Sequence, residues 1–550
     1  MKQLFLTFSI IFCISASGQT AKDIDSIFQD FNTPEHPAIA ATVIHKGEII
    51  YQKAFGSESM DSKRAASVHS KFHIAQLSRH IVAYAIFLLE ERGVLSIKDD
   101  IRVYLEDLPH YHQPVRIAHL LEQTSGFPDI YTLKLLLGKG ENEPFSRDQA
   151  YDIIKNVPLA FEPGTDYQYS DTDEVLLALI LEKATGESFE EWMTENIFEP
   201  LDMSNTFFTT DLVSNKERSI PYVQMDKKWI IQEMMNPINL YSTIADLATW
   251  ELHLLDPKIG SLDLVNKLNT QVTLKSGQQV YPSYGKVNYS QRYSSKERGL
   301  SERYRMGHAA GHQSAIFTFP PEEFTVIVLS SGMGYSGYLG IHTTYLFLEK
   351  KFPKPERVDY DNLKLTKVST QEYESYEGTY WDVEGHFTRE IKLENDTLRY
   401  VRPGRSSDLL PIGKDLFQMI MPFDDEIFIR FDDTGMNFRA GESNELRFER
   451  LEEQKRARDL HDYVGFYLNP DLQLTFKVTV ENKVLVARNL SSGKFQLNHV
   501  NGNLFQGEEW FFRSLEFQEN TNGTIEGLRF YAPGTRGITF QKLKLNESLN

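Results

Sequence analysis

Cysteine is almost absent. Cys13 is the single one in 550 residues, and it falls in an N-terminal apolar run. The rest of the chain therefore has no thiol, no disulfide and no cysteine-based metal site. Positive charge is also short. Lys and Arg number 58 against 77 Asp and Glu, for a formal net charge of −19, which disfavours nucleic acid and anionic membrane surfaces as partners. Beyond the N-terminus no apolar run approaches the roughly 20 residues that a membrane-spanning helix needs. After residue 350 helical periodicity nearly disappears. None of these shortages implies disorder, because 41% of residues are hydrophobic and 12% aromatic, ordinary values for globular protein. A chain of this length is too long for one core, so two to four domains are expected.

The N-terminus has the three parts of an export signal. Lys2 is the basic start, Leu4 to Ser15 the apolar stretch, and Ala16-Ser17-Gly18 the small residues before a cut. Residues 1–18 are expected to be a signal peptide, and the protein to be periplasmic or extracellular. Cys13 lacks the preceding small residues of a lipoprotein cleavage site.

Residues 19–352 read as one domain of alternating strand and helix. Ile39–Val43 and Ile49–Tyr51 flank a hairpin turn, His45-Lys46-Gly47-Glu48. Helical patterns follow at Ile81–Arg92, Ile117–Gln123, Thr172–Ala184 and Phe189–Ile197, and strands return at Ala315–Phe319 and Phe324–Leu329. Early and late strands around a helical middle predict one sheet closed by both ends of the domain. Lys351 to Pro355 reads as a linker. Beyond it the chain repeats itself: Tyr376-Glu377-Gly378-Thr379-Tyr380 returns as Tyr463-Val464-Gly465-Phe466-Tyr467. Leu398 matches Leu485, Phe417 matches Phe505, and Phe431 matches Phe517, with a nearly constant offset. Two copies of one small all-β unit, each a barrel or a curved sheet, are expected at 371–453 and 460–545.

The segment Phe72-His73-Ile74-Ala75-Gln76-Leu77-Ser78-Arg79, followed by an apolar helix, resembles the nucleophile segment of the serine β-lactamase and penicillin-binding-protein superfamily. In the class C, β-lactamase-related branch it reads Phe-x-Ile-Ala-Ser-x-Ser-Lys. Further framework matches run through Glu91–Asp100, Ile117–Pro128, Phe161–Ser170, Phe198–Met203 and Leu240–Trp250. The resemblance covers about residues 25–350 and implies an α/β (α+β) transpeptidase-like sheet with helices on both sides. The two C-terminal units resemble the lipocalin-like domains appended to such proteins.

The resemblance also implies where the chemistry would be. A serine attacks a carbonyl, and a lysine one turn on helps remove its proton. Here Gln76 and Arg79 stand at those places; a carboxamide is no nucleophile, and a guanidinium stays protonated. Ser78 lies two residues from Gln76, on another side of the helix. The Tyr-x-Asn motif becomes Tyr169-Ser170-Asp171, in which Asp171 also suits a helix N-cap. The third motif, Lys- or His-x-Gly, becomes Arg305-Met306-Gly307 without gaps, or His308-Ala309-Ala310 with one. Asn236-Pro237-Ile238-Asn239 replaces the family's Gly-x-Gly-Gly.

The expectation is a pseudoenzyme. Gln76, Arg79, Tyr169 and Arg305 would line a pocket for a small anionic ligand or a peptide with a free carboxylate, since arginine forks onto carboxylates. Alternatively Arg79 pairs with Asp171 and the pocket is closed. An active esterase, peptidase or β-lactamase using other residues is the competing class, and an envelope protein binding through its β domains a third. No cofactor is expected, and no metal: the pairs His308/His312 and His73/His80 do not share a face with a carboxylate. With Gln76 and Arg79 in a cleft, Gln76→Ser with Arg79→Lys is expected to leave the melting temperature nearly unchanged.

Overall fold

In the computed structural model the described residues are 21–209, 218–225, 227–280, 299–332, 336–353, 363–382, 385–402, 405–420, 427–440, 446–451, 458–489, 491 and 493–543. The signal peptide expected at 1–18 lies outside them.

The hairpin forms as its turn residues dictate. Strand β1 (Ile39–His45) and strand β2 (Glu48–Phe55) are joined through Lys46 and Gly47, both at positive φ, the backbone a tight hairpin turn requires. The late strands β3 (Arg303–Ala309), β4 (His312–Phe319) and β5 (Phe324–Ser330) complete an antiparallel sheet of order β3-β4-β5-β1-β2. Strand β5 is buried along its whole length, because both faces of the sheet are covered. Val326 and Val328 pack with Leu339 and Leu348 of a C-terminal helix, Ser336–Leu348. Ile327 and Leu329 belong to the cluster on the other face. A strand covered on both sides needs no polar alternation, hence the run Phe-Thr-Val-Ile-Val-Leu-Ser.

Helix α1 (Ser78–Glu91) is buried from Ser78 through Leu89, as a helix apolar all round must be. It ends at Gly93, where φ is +72°, and the Val94 N–H reaches back to the Leu89 carbonyl at 2.9 Å, the closing bond of a Schellman cap. Three further helices bear on the site: α2 (Ile130–Leu136), α3 (Asp171–Thr185) and α4 (Ile244–Leu255).

Two closed eight-stranded barrels follow, from Gly378 to Arg450 and from Gly465 to Lys542. Their repeat is visible atom by atom. The Tyr380 hydroxyl donates to the Tyr376 carbonyl at 2.7 Å, and Tyr467 does the same to Tyr463. Tyr376 packs on Phe431 at 4.6 Å between ring centroids, Tyr463 on Phe517 at 4.7 Å.

The copies differ in what they touch. The first barrel keeps a core cluster of its own and meets the second through the stacked rings of His386 and Tyr531, 3.8 Å apart. The second barrel's interior joins the main cluster of the first domain. Its Gly534 is inserted beside Asp129 and Tyr169. There φ is +65°, and an added Cβ would lie 2.6 Å from the Asp129 Cβ and 2.7 Å from the Tyr169 carbonyl oxygen. Gly534→Ala is therefore expected to destabilise the protein by about 1–3 kcal/mol, read as a lower urea midpoint; an unchanged midpoint would mean the barrel is free to move off.

Candidate functional site

The chain enters α1 through a strained corner. Phe72–His73 pairs with the short strand Leu240–Ser242, and Ala75 then takes a positive φ of 51°, uncommon for a residue with a side chain. This corner sets Gln76 at the helix entrance, facing β3. Gly307 of β3 makes the close approach possible. A Cβ there would stand 2.3 Å from the Ile74 carbonyl oxygen and 3.0 Å from the Gln76 nitrogen. That contact suits the ungapped placement of Arg305-Met306-Gly307, with His308 next.

The Gln76 carboxamide is held at both ends. Its Nε2 donates to the Tyr169 hydroxyl at 3.1 Å, and its Oε1 accepts the His308 backbone N–H at 2.7 Å. An amide carbonyl of the protein itself thus occupies the backbone donor on β3.

One turn on, Arg79 is only 4% exposed. Its guanidinium pairs with Asp171, lies 3.5 Å from Glu174, and donates to Gln123 Oε1 at 2.6 Å. The ring of Tyr169 covers it at 4.3 Å. Burial works against its charge, but Tyr169, Asp171 and Glu174 outweigh that and hold it protonated. Three more groups complete the network. Ser78 donates to Glu174 at 2.6 Å, Ser125 to Asp173 at 2.5 Å, and Asp129 accepts the Asp171 N–H at 2.8 Å. Burial raises Glu174, with partial relief from Arg79, to about 7. Burial and then the Asp171 charge raise Asp129 to about 7 as well. Ser170, rather than Asp171, is the N-cap of α3, accepting the Thr172 N–H; Asp171 is the first helical residue, free to turn to Arg79.

Arg305 does not join this group. It shares its strand parity with Gly307, and its side chain runs to Glu251 of α4, with His80 of α1 at 3.5 Å. These residues line a separate small cavity with Arg303 and Thr318. The expected pairing of two arginines at one pocket is thus corrected: β3 sends Arg305 to a buried carboxylate, and Arg79 is saturated by its own.

A cleft of about 520 Å³ opens beside Gln76. The first domain lines it with Gln76, Tyr169, Asp171 and His308 around the helix entrance, with Asp129, Tyr131 and Thr132 from the start of α2, and with Glu141, Gln232 and Met234. The second barrel closes it with Trp510 and Pro533. The docking is polar as well as apolar. Asp129 N–H and Gln168 Nε2 donate to the Gly534 carbonyl at 2.7 and 2.8 Å, Thr132 Oγ1 to the Pro533 carbonyl at 2.9 Å, and Arg536 pairs with Asp166 at 2.9 Å. Behind the cleft, fully buried Lys134 donates to the carbonyls of Glu141, Glu143 and Met235 at 2.8–3.0 Å. Lys134→Met is expected to cost about 3 kcal/mol by leaving those carbonyls unpaired and to loosen the wall carrying Glu141. Hydrogen exchange at residues 139–145 measures this; unchanged protection there would contradict the assignment.

Of the four residues expected to line a pocket, Gln76 and Tyr169 lie at this cleft and Arg79 and Arg305 do not; Asp171, expected only as a motif position or as the partner of Arg79, lines it, as does His308 of the gapped alternative. Sequence reasoning missed Asp129, Glu141 and Trp510. Asp129 has a local signal, since it follows Phe127-Pro128 and caps α2 by accepting the Thr132 N–H. Trp510 has none, being brought in by docking of a distant domain.

The fold defines a serine β-lactamase/penicillin-binding-protein-like protein. Residues 24–349 match the family model described as "Beta-lactamase", more than half of the chain, and the chain belongs to that family. Residues 449–545 match a domain of unknown function, DUF3471, which spans the second barrel. Penicillin-binding protein 4* of Bacillus subtilis is 25% identical over 375 residues, covering 64% of this chain and 81% of that protein. Protein flp of Staphylococcus aureus is 23% identical over 331 residues, 57% of this chain and 64% of that protein. Among solved structures, the octameric penicillin-binding protein homologue from Pyrococcus abyssi aligns with a TM-score of 0.52 at 20% identity, over 78% of this chain and 99% of that one. That likeness concerns the fold.

Proposed function

We propose that this protein is a non-catalytic member of the β-lactamase family that holds a cell-envelope ligand, of the peptide type its relatives' penicillin-binding names suggest, in the cleft between the first domain and the second barrel. The observation that carries this reading is the Gln76 carboxamide, tied to Tyr169 and to the His308 N–H at the place of a nucleophile. The neighbouring cation adds to it, because Arg79 is fixed by two carboxylates and takes up no proton. Among the described residues lining the cleft there is no serine, and the Thr132 hydroxyl is spent on the Pro533 carbonyl. Ser78 is buried and bonded to Glu174. In line with the N-terminal sequence, the protein works outside the cytoplasm; no described helix is long and apolar enough to cross a membrane.

Hydrolysis assays test the reading. With a chromogenic cephalosporin and with p-nitrophenyl acetate, the protein and its Tyr169→Phe variant should both match the buffer blank. Turnover above the blank that Tyr169→Phe abolishes would make this an enzyme.

A further inference from the structure

We propose that the cleft selects a ligand bearing an ammonium group on an aromatic or apolar body, with the ammonium at Glu141 and the body against Trp510. The inference rests on the non-catalytic reading and names the class of ligand held.

The charges of the lining point this way. No lysine or arginine lines the cleft among the described residues. The guanidinium of Arg79, behind the ring of Tyr169, is already matched by Asp171 and Glu174, and the ammonium of Lys134 spends its donors on three backbone carbonyls. Glu141 forms no ion pair among the described residues; its carboxylate accepts one hydrogen bond, from Gln232 Nε2 at 3.1 Å. A ligand carboxylate entering here would meet the carboxylate of Glu141 with no lysine or arginine in the described lining to offset it. An ammonium would meet an unpaired carboxylate.

The shape supplies an independent argument. Trp510 of the second barrel stacks on Tyr131 of α2, with centroids 5.9 Å apart and planes 17° from parallel. Tyr131 is buried while Trp510 remains 42% exposed. An indole face backed by a second ring is a shelf for an apolar body, and its quadrupole attracts a cation held beside it. Because this shelf is assembled from two domains, ligand selection depends on the second barrel as well as on the family fold.

Three probes of similar shape test the inference: 2-phenylethylammonium, 2-phenylethanol and 3-phenylpropanoate. They are titrated into the full-length protein at pH 7.5 by calorimetry and tryptophan fluorescence. The ammonium should bind at least tenfold more tightly than the other two. Glu141→Gln should bring it to the level of the alcohol, and Trp510→Ala should weaken all three together. Equal or tighter binding of the carboxylate would overturn the proposal, as would discrimination that survives Glu141→Gln, or a lack of binding by all three. Failure of the non-catalytic reading registers separately, as a covalent mass increase or as turnover, neither of which alters the order of the three reversible affinities.

Discussion

Arg79→Met is expected to destabilise the protein by about 3–5 kcal/mol, the cost of removing one partner from a buried ion pair. The guanidinium is 4% exposed and is the only cation within bonding distance of Asp171 and Glu174 among the described residues. Gln123 would lose its donor too, and it also receives the Ser170 N–H at 2.8 Å, so the start of α3 would loosen. The triple change Arg79→Met, Asp171→Asn, Glu174→Gln should recover part of the loss, because it removes the uncompensated charges along with the cation. Urea unfolding measures both. A loss under about 0.5 kcal/mol for Arg79→Met would show the network to be dispensable. The same geometry corrects the expectation for Gln76→Ser with Arg79→Lys. An ammonium cannot reproduce the fork that reaches Asp171, Glu174 and Gln123 at once, so that variant should lose stability as well.

The second large effect is on pH. Asp129 titrates near 7 in the folded protein, through burial and the neighbouring Asp171 charge, against an ordinary value near 4. Between pH 4 and 7 the folded state keeps a proton that the unfolded chain has released. Unfolding therefore releases a proton in this window, and stability falls as pH rises, by up to about 1.4 kcal/mol per pH unit for one such group. Below pH 4 and above pH 7 the two states bind equally and this contribution is flat. Glu174, also raised to about 7 by burial, acts with the same sign. Carboxylates held low by a hydrogen-bonded arginine, such as Asp432 beside Arg447, lose their contribution below this window. Asp129→Asn should weaken the bond to the Asp171 N–H but flatten the profile. Unfolding free energies of protein and variant from pH 4.5 to 7.5 test this, and parallel profiles would contradict it.

What the sequence showed and what it hid have separable physical causes. The five-stranded sheet and α1 were legible because burial leaves apolar runs and a Gly93 stop. The two barrels were legible because their packed rings, Tyr463 on Phe517 and Tyr376 on Phe431, must recur in register. The place of Gln76 and Arg79 at the entrance of α1 was legible as well, since it needs only a one-turn spacing. Arg305 was misplaced because motif and parity leave open which carboxylate a long side chain will find; Glu251 on α4 decided it. Arg79 is absent from the cleft lining for the same reason, since Asp171 and Glu174 hold its guanidinium. The wall formed by Trp510 and Pro533 was invisible, because domain docking depends on surfaces far apart in the chain. Gly534 in particular has a meaning only when Asp129 stands against it.

The most direct test of the account is intact-protein mass spectrometry after prolonged incubation with penicillin and with a fluorophosphonate. If Gln76 occupies the nucleophile's place and no serine of the cleft replaces it, the mass stays that of the unmodified chain at every time point. A stoichiometric adduct that maps to a serine would contradict the central claim and make this family member an enzyme.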